Sequence, residues 1–198
     1  MALKLQFNKT FLQHLQKQLK IRENALPTLQ AKEAALRLEV KKAREELDSF
    51  SKSLESKRSE LARYYLLWSE FPEDILAVKN VDMGIKKIAG VNTPVFKKVD
   101  FSISQFSLFN AHAWVPRGLE MLKEIIALEI QKAIAEKKSE ILEHARKKTT
   151  QKVNLYEKVQ IPEYQEGLLK IKRFMEDEDN LAKSSQKILK QRLAGEAA

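Results

Sequence analysis

The sequence predicts a mainly α protein, a long antiparallel two-helix coiled coil with a short central β-hairpin. Three observations predict this fold. Apolar residues recur at every seventh position over the first third of the chain, only 5 Gly and 5 Pro occur in 198 residues, and a segment rich in β-branched and aromatic residues separates two helical stretches. Scarce turn residues indicate few, long elements. A seven-residue repeat needs a second helix alongside it.

The N-terminal segment, residues 1–71, is predicted to form one helix over 4–70 because two interleaved seven-residue series run along it. We call these positions the seam. The first series is Leu5, Leu12, Leu19, Leu26, Glu33, Val40, Leu47, Leu54, Leu61 and Trp68, and the second is Asn8, Leu15, Arg22, Leu29, Leu36, Ala43, Phe50, Lys57, Tyr64 and Phe71. So narrow a stripe cannot close a globular core and needs a partner helix. Such a helix is about 100 Å long, which predicts a rod.

Two features of the seam need interpretation. The seven-residue phase runs unbroken through Pro27, which predicts a kink near residues 24–27 with the helix continuing beyond it. Four seam positions are polar, namely Asn8, Arg22, Glu33 and Lys57. They either set the register of the helix pair, because a buried polar group penalises slipped pairings, or extend their side chains out to water.

The central segment, residues 72–115, is predicted to contain a β-hairpin. Phe71-Pro72 ends the first helix, and the turn is placed at Asn92-Thr93-Pro94. The near-alternating residues on one side of the following strand are Val95, Lys97, Val99, Phe101 and Ile103. Because a lone hairpin is marginally stable in water, it must lean on the helices or on a partner. Ile88, Val95 and Phe101 are therefore candidate partner-binding residues.

The C-terminal segment, residues 116–198, is predicted to return as a helix that starts at Pro116 and is kinked near Ile161-Pro162. Residues 119–134 are apolar on nearly every side, more than one partner helix can cover. Leu122, Ile126 and Ile130 are accordingly candidates for contact with the hairpin or with a second protein. Antiparallel pairing places position 27 opposite about position 160, so both helices are expected to bend at one level.

No catalytic, cofactor-binding or metal-binding residues are predicted. The chain has no Cys and no Gly-rich phosphate-binding loop, and His14, His112 and His144 lack metal-ligand spacing. The net charge of +9 is spread along the chain without a basic block, which argues against nucleic-acid binding. No apolar run reaches the roughly 18 residues of a membrane span, and no signal peptide is evident, so a cytoplasmic chain is expected.

Three segments together resemble the D subunit of the V-type and archaeal-type rotary ATPases. They are NKTFLQHLQKQLKIRENALPTLQAKEAAL, IAGVNTPVF, and VNLYEKVQIPEY, in which Val153, Asn154, Glu157, Ile161 and Pro162 match the family element. Leu155-Tyr156 replaces the Ala-Leu of that element. The resemblance extends over essentially the whole chain in length and layout.

The resemblance implies a non-catalytic central rotor-stalk component that transmits torque between the catalytic A/B hexamer and the ion-translocating membrane ring. It implies further contacts with the F subunit and with the funnel-shaped C/d subunit, no cofactor, and a place peripheral to the cytoplasmic membrane. In the family the hairpin is linked to stimulation of ATP hydrolysis. Asn154 is added as a candidate partner-binding residue because it matches the family element.

Two other functions fit the predicted fold. A prefoldin-like chaperone also has two coiled-coil helices joined through β-hairpins, although its chains are shorter and it assembles as a hexamer. A coiled-coil enzyme accessory or a nucleic-acid clamp is the third possibility, and it depends on charge alone. Replacing Ile126 and Ile130 with aspartate is expected to weaken assembly with rotor partners if the rotor interpretation is correct.

Overall fold

The computed structural model describes residues 4–68, 70–72, 75–104 and 112–196. Helix α1 covers Lys9–Ala62 and a short helix α2 covers Tyr65–Trp68. Strands β1, Leu76–Ile88, and β2, Val91–Ile103, pair antiparallel. Helix α3, Val115–Leu155, continues into a π-helical turn at Tyr156–Gln160 and then into α4, Ile161–Glu196. The predicted mainly α fold with one hairpin is confirmed.

The chain divides into two compact units. Met1–Ala31 with Thr149–Ala198 form the first, here called the terminal unit, and Lys32–Lys148 form the second, here called the hairpin unit. In the terminal unit Leu15 packs with Leu168 and Ile171, and Phe7 meets Phe174. In the hairpin unit Leu36, Val40 and Ala43 of α1 pack with Leu142 of α3.

The seam prediction is confirmed along α1. Every seam position from Leu5 to Phe71 is buried or partly buried, except Asn8 and Tyr64. The helix runs through Pro27 without interruption, as the unbroken phase predicts. The kink itself stays a prediction.

Helix α1 is shorter than the predicted helix over 4–70, because it begins at Lys9 and ends at Ala62. Asn8 precedes the first helical residue, and its side-chain oxygen accepts a hydrogen bond of 2.6 Å from the Phe11 N–H. This polar seam residue is therefore the N-cap of the helix. After Ala62 the hydrogen bonds tighten, from Arg63 N–H to the Glu60 carbonyl and from Tyr64 N–H to the Leu61 carbonyl. Bonds of this spacing close a 3₁₀-type turn, which separates α1 from α2.

The hairpin turn is not at Asn92-Thr93-Pro94, which corrects the sequence-based prediction. The strands are joined by Ala89 and Gly90, both with positive φ, at 48° and 80°. Two consecutive positive φ values are typical of the tight turns that match strand twist. Asn92, Thr93 and Pro94 instead pair with Lys87, Lys86 and Ile85. The prediction gave too much weight to proline, which edge strands tolerate.

Lys97 breaks the alternation of β2 for a structural reason. Asp82 pairs with Lys98 and Met83 pairs with Phe96, so Lys97 is left over at a bulge. The Lys97 side chain lies across Gly84, where a β-carbon would stand 3.0 Å from the Lys97 Cε.

We expect Gly90→Ala to destabilise the hairpin unit by about 1–2 kcal/mol, because a β-carbon is disfavoured at a positive φ. Urea unfolding followed by circular dichroism measures the loss. Gly84→Ala is the matched control. It meets only the flexible end of Lys97 and should change the free energy of unfolding far less. Equal losses from the two substitutions would contradict this account of the turn.

The return helix also departs from its predicted course at one point. Pro162 does not interrupt it, because Pro162 is the second residue of α4. The irregularity precedes the proline. In the π-helical turn Tyr156–Gln160, the Ile161 N–H bonds to the Tyr156 carbonyl, five residues back.

Candidate functional site

The end of α2 and the start of α3 meet in an aromatic cluster of the hairpin unit. The rings of Trp68, Phe71 and Trp114 lie 5.1 to 5.7 Å apart between centroids. Beneath them Val115 and Leu119 are buried with Ile75. Edge and tilted ring contacts of this kind add rigidity beyond the burial of apolar area. The cluster fixes the position of the residues around it.

Four consecutive large side chains beside this cluster are exposed to solvent, and we call them the α2 surface. They are Tyr64, Tyr65, Leu66 and Leu67, with Tyr65 at 70% and Leu66 at 69% exposure. A groove next to them is lined by Trp68, Trp114, Met121, Glu60 and Arg117, among others. A contiguous exposed apolar patch with a polar rim is typical of protein interaction sites.

The hairpin presents a second exposed apolar face. Met83 is 56% and Ile85 is 80% exposed. The turn end of the hairpin is packed against the helices. Ile88, Ala89 and Val91, at and beside the turn, pack on the cluster of Leu36, Val40, Ala43 and Leu142. The hairpin is thus anchored at its turn while its outer face remains accessible.

The last part of α4 makes a third exposed surface, which we call the tail. All side chains from Glu176 to Arg192 are exposed, including Leu181, Ile188 and Leu189. Acidic residues 176–179 are followed by basic residues at 183, 187, 190 and 192. A lone helix with so few apolar contacts gains little from packing within this chain.

The predicted partner-binding residues lie in less accessible places. Leu122, Ile126 and Ile130 on α3 are partly buried, as are Ile88, Val95 and Phe101 of the hairpin. Ile88 packs against the Leu36 cluster, Val95 lines a groove with Phe50 and Ile134, and Phe101 pairs with Val78. Asn154 is exposed near the end of α3. Their role in partner binding stays a prediction.

Sequence reasoning missed the α2 surface. The signal was present in the run Tyr64-Tyr65-Leu66-Leu67-Trp68, because only Tyr64 and Trp68 fall on the seam. Apolar residues off a seam have no partner within a two-helix coil, so Tyr65, Leu66 and Leu67 should have been recognised as an interaction surface.

Charged side chains cross between α1 and α3 in the hairpin unit. Arg44 meets Glu143 at 3.5 Å, Lys138 meets Glu46 at 2.6 Å, and Arg58 pairs with Glu129. Partners on α3 fall in number as those on α1 rise, so the helices are antiparallel. Lys57, a polar seam residue, donates to Glu124 at 2.8 Å. This hydrogen bond raises the pKa of Lys57 and lowers the pKa of Glu124. Exposed pairs of this kind contribute little stability.

Glu143 is the best enclosed of these carboxylates. Its hydrogen bond from Arg146, at 2.7 Å, lowers the pKa of the carboxyl below its ordinary value of 4.5. The positive charges of Arg146, Arg44 and Lys147 act in the same direction, against the effect of partial burial. The Arg146 pKa is raised in turn, mainly by its hydrogen bond to Glu143.

This lowered pKa predicts an acid-dependent loss of stability. A carboxyl whose pKa is lower in the folded state stabilises the fold fully above the unfolded value, near 4.5, and loses this contribution as pH falls through the folded value. We expect Glu143→Gln to flatten the fall in melting temperature below that pH. Asp48→Asn is the control, because Asp48 is an exposed carboxylate that lines the same surface groove between α1 and α3 as Glu143. If the melting temperature of Glu143→Gln fell with decreasing pH as steeply as that of the unsubstituted chain, the prediction would be contradicted.

The described residues contain no group of three or more His, Cys, Asp or Glu side chains that could hold a metal ion. Among the helices that the structure describes, none combines the length and apolar character needed to cross a bilayer.

Comparison with known proteins identifies the family. Residues 11–191 match the family of the ATP synthase D subunit. The chain is 30% identical over 192 residues to the D subunit of the V-type ATP synthase of Borreliella burgdorferi, covering 96% of this chain and 95% of that protein. It is 30% identical over 161 residues to the D subunit of Chlamydia felis and 29% identical over 161 residues to that of Chlamydia abortus, covering 78% of this chain and 77% of each relative. The chain therefore belongs to the ATP synthase D-subunit family.

Proposed function

We propose that this chain is the central rotor stalk of a V/A-type ATPase or ATP synthase. In this role it transmits torque between the catalytic A/B hexamer and the ion-translocating membrane ring, without catalytic activity of its own. The observation that carries the proposal is the internally filled seam. Leu15, Leu36 and Leu142 are fully buried between antiparallel helices of one chain. A single chain thereby obtains two packed helices, which resist twisting better than one helix.

The tail is the part that we assign to the A/B hexamer. Its side chains are exposed within this chain, and its charges are of both signs. A rotating shaft must not bind its bearing tightly at one angle, and a mixed-charge surface with scattered apolar residues suits that requirement. The exposed apolar residues Leu181, Ile188 and Leu189 are expected to make weak contacts with the hexamer, rather than to form one continuous apolar patch that binds it tightly.

The α2 surface is the part that we assign to the C/d subunit, because stable docking favours a contiguous apolar patch on a rigid support. The outer hairpin face and residues 119–134 of α3 are assigned to the F subunit and the adjoining rotor contacts. The divisions 1–71, 72–115 and 116–198 then correspond to the first shaft helix, the hairpin region and the return helix. Through these partners the chain would lie at the cytoplasmic membrane as a peripheral part of the complex.

Co-expression with A, B, F and C/d subunits tests the proposal. We expect assembly and ATP-driven rotation to require this chain. Ile126→Asp with Ile130→Asp should weaken co-purification with rotor partners, because charge is introduced at partly buried positions of α3. Tyr65→Ser with Leu66→Ser should instead weaken docking to C/d alone. Normal assembly of both variants would overturn these surface assignments.

The prefoldin-like alternative makes a different prediction. A holdase of that type assembles as a hexamer and suppresses aggregation of unfolded proteins, whereas a rotor shaft is monomeric or pairs with the F subunit. Light scattering of the purified chain distinguishes the two. A stable hexamer that protects a denatured client would overturn the rotor proposal.

A further inference from the structure

The buried positions of the return helix change their spacing at the π-helical turn. Ala135, Leu142, Thr149 and Tyr156 are seven residues apart, and all are buried or partly buried. In the same line beyond the turn, the residues that pack with Leu15 are Tyr164 and Ile171, so the step from Tyr156 to Tyr164 is eight residues. A π-helical turn accommodates one extra residue in a helix. Tyr156–Gln160 therefore holds an inserted residue and restores the phase of the return helix.

The side chains after the turn fix this arrangement. Without the extra residue, a continuous α-helix would bring Glu163, Gly167 and Lys170 into line in place of Tyr164, Leu168 and Ile171. Leu168 and Ile171 are buried in the terminal unit, against Leu15. Exposing them while burying Lys170, which is exposed in the structure, is strongly unfavourable. The sequence of α4 thus requires the π-helical turn.

Arg22 of α1 contacts this turn at both ends. Its Nε donates to the Gln160 side-chain oxygen at 2.7 Å, and Gln160 is the last residue of the turn. The guanidinium carbon lies 6.0 Å from the ring centre of Tyr156, the first residue of the turn, and 4.5 Å from that of Tyr164. Its Nη1 donates to the Gln18 side chain at 2.8 Å and to the Gln18 carbonyl at 3.0 Å.

Each of the two helices contains a proline near this level. Pro162 and Pro27 each lack an N–H, so each helix loses one backbone hydrogen bond or leaves a carbonyl without its helical donor. Pro27 follows Arg22 by five residues, and Pro162 follows Gln160 by two. Because Arg22 and Gln160 are in contact, both prolines lie within about two helical turns of that contact.

We propose that the Tyr156–Gln160 turn is a segment whose backbone hydrogen bonds open before those of the flanking helical turns, and that the contacts of Arg22 oppose this opening. We call Arg22 and this turn the joint. Arg22 is thus a positioning residue, and its place on the seam selects the register in which Gln160, Tyr156 and Tyr164 meet it. Local opening is favoured where backbone hydrogen bonds are few and apolar burial is low. The inference concerns the fold of the chain and does not depend on the rotor role.

Hydrogen–deuterium exchange of the full-length chain tests the joint. We expect amides of residues 156–161 to exchange at least about tenfold faster than those around Leu142, which lie in a regular buried stretch. R22M, which keeps the length of the side chain but removes its donors, should accelerate exchange at 156–164 by a further factor of about ten and leave residues around Leu142 unchanged. R22K is the matched control and should give an intermediate acceleration, because it keeps the charge but lacks the planar fork.

A deletion tests the inserted residue independently. P162A restores the backbone N–H that proline lacks. Deleting Lys158 in the P162A background should leave the chain folded, with slower exchange at the former turn, because the seam then repeats every seven residues throughout. Deleting Lys52 in the same background shifts the phase of α1, which has no π-helical turn, and should lower the melting temperature by many degrees.

Three results would overturn the proposal. The first is amide exchange at 156–161 that is as slow as that around Leu142. The second is an R22M effect that is absent or spread uniformly over the terminal and hairpin units. The third is a loss of melting temperature from the Lys158 deletion equal to that from the Lys52 deletion.

Discussion

Replacing Leu142 with aspartate is expected to destabilise the hairpin unit by at least about 4 kcal/mol, enough to unfold a marginally stable domain. Leu142 is fully buried against Leu36, Val40 and Ala43, where the hairpin turn also packs. The substitution removes the apolar contacts and places an uncompensated charge among them. Urea unfolding by circular dichroism measures the change in free energy.

Leu38→Asp is the control for this prediction. Leu38 lies on α1 two residues from Leu36, but it is 61% exposed. A charge at that position stays in water, so the free energy of unfolding should change by no more than about 0.5 kcal/mol. If Leu38→Asp proved as damaging as Leu142→Asp, the assignment of the core to one face of α1 would be wrong.

Truncation after Met175 is expected to preserve the folding of the chain but to reduce ATP-driven rotation. Residues 176–192 have exposed side chains, so their removal should leave the melting temperature of the isolated chain almost unchanged. If the tail lies within the A/B hexamer as we propose, the same truncation should reduce ATP-driven rotation of the assembled complex severalfold, because the shortened shaft would lose part of that contact. Rotation of a labelled shaft under saturating ATP is the measurement.

Leu181→Ser with Ile188→Ser provides a milder variant of the same length as the unsubstituted chain. It keeps the helix but removes two of its exposed apolar side chains. We expect an intermediate loss of rotation, with the melting temperature of the isolated chain preserved. A truncated chain that drives rotation at the full rate would contradict the assignment of the tail to the bearing.

The periodic part of the fold was predictable from the sequence. Burial along α1 follows the seven-residue seam because a long helix has only one way to cover a narrow apolar stripe. Three of the four polar seam positions have side-chain partners that only the structure identifies. Arg22 bonds to Gln160, Glu33 pairs with Arg37 at 2.9 Å, and Lys57 pairs with Glu124.

The aperiodic parts were not predictable in the same way. The hairpin turn depends on positive φ at Ala89, a residue type that gives no signal of it, while Pro94 signalled a turn that does not occur. The π-helical turn depends on a single inserted residue between two seven-residue series, which is visible only once the burial of Tyr156 and Tyr164 is known. The α2 surface was overlooked because attention to the seam discounts apolar residues outside it.

The packing of the hairpin turn against α1 and α3 has a consequence for the order of folding. Bringing Leu36 and Leu142 together directly requires closure of the whole intervening chain. The turn residues Ile88 and Val91 lie about midway between them in sequence, so a preformed hairpin divides that loop into two shorter ones. We therefore expect hairpin formation to precede helix pairing in this unit. Substitution of Gly90 should therefore lower the folding rate, whereas substitution of the exposed Leu38 should not.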